Sequence, residues 1–173
     1  MSDTYTVDWP ATCDKDGRES RHCKHTGCGY AIQKVIPKQH QSLVCNGTYC
    51  QNCNQYVNPT KIGYGDNSCK NKTAYFFTPT ETKVYLITIT SSNLGSENIQ
   101  GTEVNLVENN RLSESVSSND KGKVTEVRLE KGKTYDVTPY ITNSESQDCI
   151  VNISCKAVSY THLRAHETPE HLV

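Results

Sequence analysis

The chain has 173 residues, nine Cys, six His, a formal net charge of -1 and 34% hydrophobic residues. That composition supplies one modest core plus something small that needs a staple, since short segments bury too little apolar surface to offset chain entropy. The balanced charge gives no case for a nucleic-acid or anionic-membrane partner, and no apolar run approaches the roughly 20 residues that span a bilayer.

The opening stretch, MSDTYTVDWP, lacks the basic and apolar regions of a signal peptide. Met1 is expected to be an internal methionine of a longer reading frame. Residues 1–69 then form a Cys-rich arm holding Cys13, Cys23, Cys28, Cys45, Cys50, Cys53 and Cys69. Lys15-Asp16-Gly17 is a turn signal, Arg18 to Cys23 an extended return, and AIQKVIP a further extended stretch that stops at Pro37. Two Cys across a tight turn followed by Gly have the geometry of a metal knuckle, because Gly permits the backbone that turns N–H groups toward thiolates. Cys23 and Cys28 followed by Gly29 fit this, and Cys13 and His40 complete a three-Cys, one-His set, with His25 inside the loop as a substitute ligand. Cys50 and Cys53 have the tighter spacing and make the best single knuckle, with Cys45 and Cys69 completing a four-Cys set. The following NPTKIGYGDNSC is Gly- and Asn-rich and reads as loop. A structural zinc ion is the cofactor this reading calls for. Disulfides fit the same cysteines equally well in a small secreted protein, and the spacing leaves both open. Either way the role is structural, because four protein ligands close the coordination shell.

Residues 9–40 resemble a short repeat of large surface proteins in Gram-positive bacteria, through Cys13, Gly17, Cys23, Cys28, Gly29, Tyr30, Ile36, Pro37 and His40. The loop from Cys23 to Cys28 is two residues wider than in that repeat, and Gln39 stands where it has Gly. The resemblance implies a surface location and a modular parent protein.

Residues 70–157 carry Val-, Ile-, Thr-, Tyr- and Phe-rich runs that alternate apolar and polar positions and end at Pro, Gly, Asn, Asp or Ser, the pattern of half-buried antiparallel strands. Tyr75 and Phe77, then Val84, Leu86 and Ile87 to Ile89, mark two strands joined by the Pro79 to Thr82 turn. Val104, Leu106 and Val107 mark a third, ended by Asn109-Asn110, and Val124, Val127 and Leu129 a fourth. The turn at Glu130 to Lys133 leads into Tyr135, Val137, Tyr140 and Ile141, and Ile150, Val151 and Ile153 close the set. The fold class expected is therefore mainly β: a small Cys-rich β-hairpin arm, zinc-ribbon-like, plus an antiparallel β-sandwich or jelly roll. Cys149 and Cys155 lie six apart in one strand, roughly 20 Å at about 3.3 Å per residue, and cannot bond each other.

This region resembles the bacterial pre-peptidase C-terminal type of jelly roll, through Phe77, Pro79, Tyr85, Leu129, Gly132 and Tyr135, with Lys83 where that family has Gly. The resemblance implies an accessory module of secreted or surface proteins with no catalytic residues. It also implies that first and last strands are antiparallel neighbours, from which a Cys69–Cys155 disulfide is expected.

Val158 to Val173 resembles a translated sequencing-library adapter, so residues 158–173 are expected to be an artefactual, disordered tail, and His162, His166 and His171 leave the candidate set. No G-x-S-x-G, H-E-x-x-H or P-loop pattern occurs. The Asn119-Asp120 loop has too few carboxylates for a calcium cage and reads as a turn. The functional expectation is a non-catalytic structural or binding module of a longer secreted or cell-surface bacterial protein, no enzyme, whose partners are the parent's other domains and a glycan or surface protein. An accessory domain of a secreted hydrolase is the first alternative. A zinc-ribbon nucleic-acid binder is the second, opposed by the absence of a basic stripe with interleaved aromatics.

Overall fold

The computed structural model describes residues 1–91, 98–117, 122–142 and 147–157, and among these it is built of strands and turns. The adapter-like tail and the Asn119-Asp120 turn lie outside the described residues. Among the described residues, no helix is long and apolar enough to cross a membrane.

The arm opens with β1 (Thr6–Trp9), β2 (Gly17–His22) and β3 (Ala31–Ile36), an antiparallel sheet in that order. β2 pairs β3 from Gly17 opposite Ile36 to His22 opposite Ala31, which puts Cys23 and Cys28 at one end of the hairpin and the segments carrying Cys13 and His40 at the other. Gly17 sits where the chain doubles back. A Cβ there would lie 2.6 Å from the Pro10 carbonyl carbon and would press on Ala11 N as well, so only Gly lets the strand pass. A second antiparallel sheet follows, of β4 (Leu43–Val44), β5 (Tyr49–Cys50) and β6 (Gln55–Tyr56). Apolar burial is thin throughout this half: Trp9 is 47% exposed, with the Arg18 guanidinium 3.7 Å above its ring.

The sandwich is made of β7 (Thr60–Lys61), β8 (Gly65–Lys70), β9 (Tyr75–Phe77), β10 (Lys83–Thr90), β11 (Ile99–Glu108), β12 (Arg111–Ser117), β13 (Val124–Leu129), β14 (Thr134–Ile141) and β15 (Asp148–Cys155). One sheet runs β13-β10-β15-β8 and the other β12-β11-β14-β9-β7. Side chains at alternate positions meet between them: Tyr85, Ile87 and Ile89 of β10, Val127 and Leu129 of β13, Val151 and Ile153 of β15, against Phe77, Val104, Leu106, Tyr135, Val137 and Ile141. Burying each such side chain stabilises the fold by about 1.5–3 kcal/mol, so this core carries the domain.

Three expectations change here. The stretch after Pro59 is not loop: it supplies β7, parallel to β9, and β8, antiparallel to β15. β8 is an edge strand in which Cys69 alone is buried, so apolar alternation never develops. β12 was not visible either, because the Asn109-Asn110 turn, both residues at positive φ, folds a largely exposed strand back on β11. Finally, the strand at Tyr75 and Phe77, expected to be first and to neighbour the last, pairs with β14 and β7 instead; β15 lies beside β8, and the register sets Cys69 opposite Cys149, not Cys155. Cys155 is six residues further along β15, opposite Tyr85 of β10, so a Cys69–Cys155 disulfide does not fit, by the same spacing that separates Cys149 from Cys155.

The arm docks on the outer face of the five-stranded sheet. Tyr56 packs edge-on against Phe76 and Tyr49, with ring centroids 4.9 and 5.0 Å away. Its backbone N–H donates to Asn110 O at 3.1 Å, and Asn110 Nδ2 donates back to Tyr56 O at 2.8 Å. Asn46 Nδ2 donates to Asn71 O at 2.6 Å, while the Asn71 side chain, fully buried, bridges the backbone of Ile141. Tyr75 is buried in the core, whereas Tyr64 is 44% exposed.

Candidate metal centre

Cys13 lies in the turn between β1 and β2, and His40 just past β3. The antiparallel pairing of β2 and β3 returns the chain to the same end, and two contacts fix it there: Gln39 N–H donates to Thr12 O at 3.1 Å and Lys38 N–H to Asp16 Oδ1 at 2.7 Å. Cys50 ends β5 and Cys53 sits in the turn to β6, whose last residue, Asn54, has φ 55. Gln51 N–H donates to Ser42 O and the Gln41 amide to Ala11 O, which lays this turn against the open end of the hairpin.

One ligand atom from each of Cys13, His40, Cys50 and Cys53 lies within 4.8 Å of every other. The Cys13 and Cys50 sulfurs are 3.6 Å apart, and Cys53 Sγ is 3.3 Å from His40 Nδ1. With Zn–S near 2.3 Å and Zn–N near 2.0–2.1 Å, the edges of a tetrahedral site are about 3.5–3.8 Å, so these separations already approach a coordination shell. The electrostatics agree. Burial opposes ionisation of Cys50, but hydrogen bonds from the Cys53 backbone, His40 and Cys13 outweigh it and bring its thiol down to about 6. Burial and the Cys50 and Cys13 sulfurs push Cys53 up to about 11. The pocket accepts one negative charge readily and resists a second, a resistance that a bound divalent cation removes. This Cys/His group can hold a metal ion.

The set takes half of each knuckle reading. Cys23 and Cys28 do not join Cys13 and His40, because six residues of β2 hold them roughly 20 Å away at the hairpin tip. There Cys23 N–H donates to Tyr30 O at 3.0 Å, Cys28 N–H donates to His25 O at 3.1 Å, and Cys23 Sγ lies 3.5 Å from His25 Nδ1. Contact with Cys28 first, then with His25, lowers the Cys23 thiol to about 7. Cys45 and Cys69 do not join Cys50 and Cys53. Cys45 faces the sandwich beside Tyr56 and Asp136, its thiol pushed up to about 11 by burial. Cys69 is inside the sandwich core, pushed up to about 12 by burial and by neighbouring Cys149.

A second polar cluster had no signal in the sequence. Asp136, 5% exposed on the outer face of β14, accepts from Tyr56 Oη at 2.9 Å and Thr138 Oγ1 at 2.8 Å, and Asn105 Nδ2 points at it from 3.3 Å. Burial pushes its carboxyl up to about 6 in spite of those donors. Its place in an alternating run, DVTPY, marks an outward-facing position, and only the docked arm buries it.

Fold and site together define a mainly β protein with a sandwich, a Cys-rich arm and a Cys/His group able to hold a metal. No family model matches the chain, and no curated protein matches it. Among solved structures, the pre-peptidase C-terminal domain of a collagenase from Bacillus anthracis overlays 58% of this chain and 99% of its own, at 14% identity and a TM-score of 0.37. A likeness at that level carries no residue across.

Proposed function

We propose that the chain is a non-catalytic structural and binding module of a longer secreted or cell-surface protein, its arm stapled by one zinc ion on Cys13, His40, Cys50 and Cys53. The observation that carries this is the convergence of four ligand atoms within 4.8 Å from two separate small sheets. The first sheet has no apolar core and the second spends its apolar contacts, Tyr49 and Tyr56, on the sandwich, so a shared metal supplies the link between the two sheets that burial does not. Four protein ligands leave no open position for a substrate or an activated water, which makes the ion a support for the fold. The sandwich then serves as a spacer or as a docking face for a glycan, a surface protein or the parent's other domains.

The Cys13–Cys50 contact at 3.6 Å favours one rival, a disulfide arm. Metal analysis joined to thiol counting separates the two. Protein prepared without reductant is expected to hold about one zinc per chain, with Cys13, Cys50 and Cys53 alkylated only after chelation. A metal-free protein in which Cys13 and Cys50 map to one linked peptide overturns the zinc reading. The export reading has its own check: the extended reading frame is expected to encode an export signal and further modules, and a frame with neither refutes it.

A further inference from the structure

Beneath the docked arm, Asp136 and Asn105 are 5% and 2% exposed and line a cavity of about 150 Å³ together with Glu103, Thr138, Tyr56 and Cys45. No Lys, Arg or His lines it among the described residues. A buried carboxylate ordinarily has a cationic partner or a metal, because desolvating an unpaired charge is costly. Asp136 has neither. Its neighbours Tyr56, Thr138 and Asn105 are neutral donors, and a second carboxylate, Glu103, accepts from the same Asn105 Nδ2 at 3.1 Å. Independently, Asn105 Oδ1 is buried with no hydrogen-bond partner. Both hydrogens of that amide are committed to the two carboxylates, so turning it over would set its oxygen against them. The site therefore holds two carboxylates and an orphaned amide oxygen, and lacks positive charge.

We propose that this cavity is a binding site for a hard divalent cation of the calcium class at the junction of arm and sandwich, held by Asp136 and Glu103 in place of the Asn105 amide hydrogens, with that amide turned so that Oδ1 becomes the third ligand. The oxygen donors select against soft metals, which the Cys13 group suits better. The volume admits an ion with a few waters, consistent with the six to eight oxygens calcium takes. The repulsion between Glu103 and Asp136, one of the influences that raise the Asp136 carboxyl, is what such an ion would cancel. All three ligands come from β11 and β14, and Tyr56 and Cys45 of the arm line the same cavity, so the ion would lie on the sandwich face beneath the arm. The site shares no ligand with the Cys13 group and stands whether or not that group binds zinc.

Terbium serves as the probe, being a hard oxygen-seeking ion that nearby tyrosines, here Tyr49, Tyr56 and Tyr140, excite by energy transfer. Titrating it into the full chain as purified is expected to give tyrosine-sensitised emission saturating at one ion per chain and reversed by calcium. Asp136→Asn should abolish the emission, and Glu103→Gln should weaken binding roughly tenfold or more, since affinity follows ligand charge. Absence of emission overturns the proposal. Emission that persists unchanged in Asp136→Asn also overturns it, assigning the ion to exposed carboxylates. Should circular dichroism show that Asp136→Asn does not fold, Glu103→Gln, at a half-buried position, decides alone.

Discussion

Cys13 and Cys50 stand 37 positions apart in sequence, in two different small sheets, yet their sulfurs meet at 3.6 Å. Without a bond or an ion between them, little apolar surface would hold those sheets together. Chelation is therefore expected to unfold the arm, since a structural zinc site contributes on the order of 10 kcal/mol of metal-binding free energy at neutral pH. Cys50→Ser should have the same effect. Limited proteolysis checks both: cleavage should concentrate between residues 1 and 59 while the sandwich survives, and an arm that stays protected after metal removal contradicts the assignment.

Gly17→Ala is expected to loosen the centre without touching a ligand. The added methyl meets backbone at Pro10 and Ala11, which cannot swing aside as a side chain would, and those residues lead directly into Cys13. Overpacking of this kind costs about 1–3 kcal/mol. Zinc affinity, measured by competition with a chromogenic chelator, should fall together with the denaturation midpoint; unchanged values would show that the turn relaxes freely.

Thiol reactivity should sort the remaining cysteines. Cys23, lowered to about 7, has a large thiolate fraction at neutral pH and should alkylate first, with the exposed Cys28 and Cys155 behind it. Cys69 and Cys149, buried and pushed up to about 12 and about 11, should react more slowly by roughly four orders of magnitude. Timed alkylation followed by peptide mapping reads the order, and early labelling of Cys69 would contradict the register of β8.

The pH dependence of the junction follows from Asp136. In the cation-free protein its folded pKa, about 6, exceeds its unfolded value of 3.8, so between these values the native state binds more protons than the unfolded chain. Stability should therefore fall as pH rises from about 4 to about 6, by an amount on the order of a few kcal/mol. Tyr56, Tyr49, Tyr140, Cys45 and Glu103 face the same cavity, and Glu103 is the one other carboxylate among them. Comparing denaturation midpoints of wild type and Asp136→Asn across that range isolates the effect, because acid loss of metal from the Cys13 group is common to both. A saturating calcium concentration should suppress the trend.

Much of the sandwich could be read from residues, because its strands bury one face and expose the other: Tyr85, Ile87 and Ile89 sit inward at alternate positions, as do Val127 and Leu129. β8 and β12 escaped because edge strands with polar or exposed side chains carry no such alternation. The candidate ligands could all be named from residue type and turn chemistry. Their grouping could not be read from spacing alone, since sequence neighbours such as Cys23 and Cys13 are driven apart by an intervening strand, while Cys50 and Cys13 are joined by the packing of one sheet on another. Asp136 was hidden for a related reason: an acidic residue on an outward strand face looks solvated until something covers it, and Tyr56, 80 positions away, is what covers it.

The strand order β13-β10-β15-β8 places the latest of the described strands between two earlier ones. During synthesis, every ligand of the Cys13 group has left the ribosome before the sandwich begins, so the arm can take its metal and close early. β8, by contrast, has no neighbour until Asp148–Cys155 emerges, close to a hundred residues after the arm's last ligand. Through that interval β8 and one flank of β10 present unpaired backbone, the condition in which nascent sheets join the wrong chain. The polar outward face of β8, with Asp66, Ser68 and Lys70 exposed, suits a strand that must wait in water for its partner.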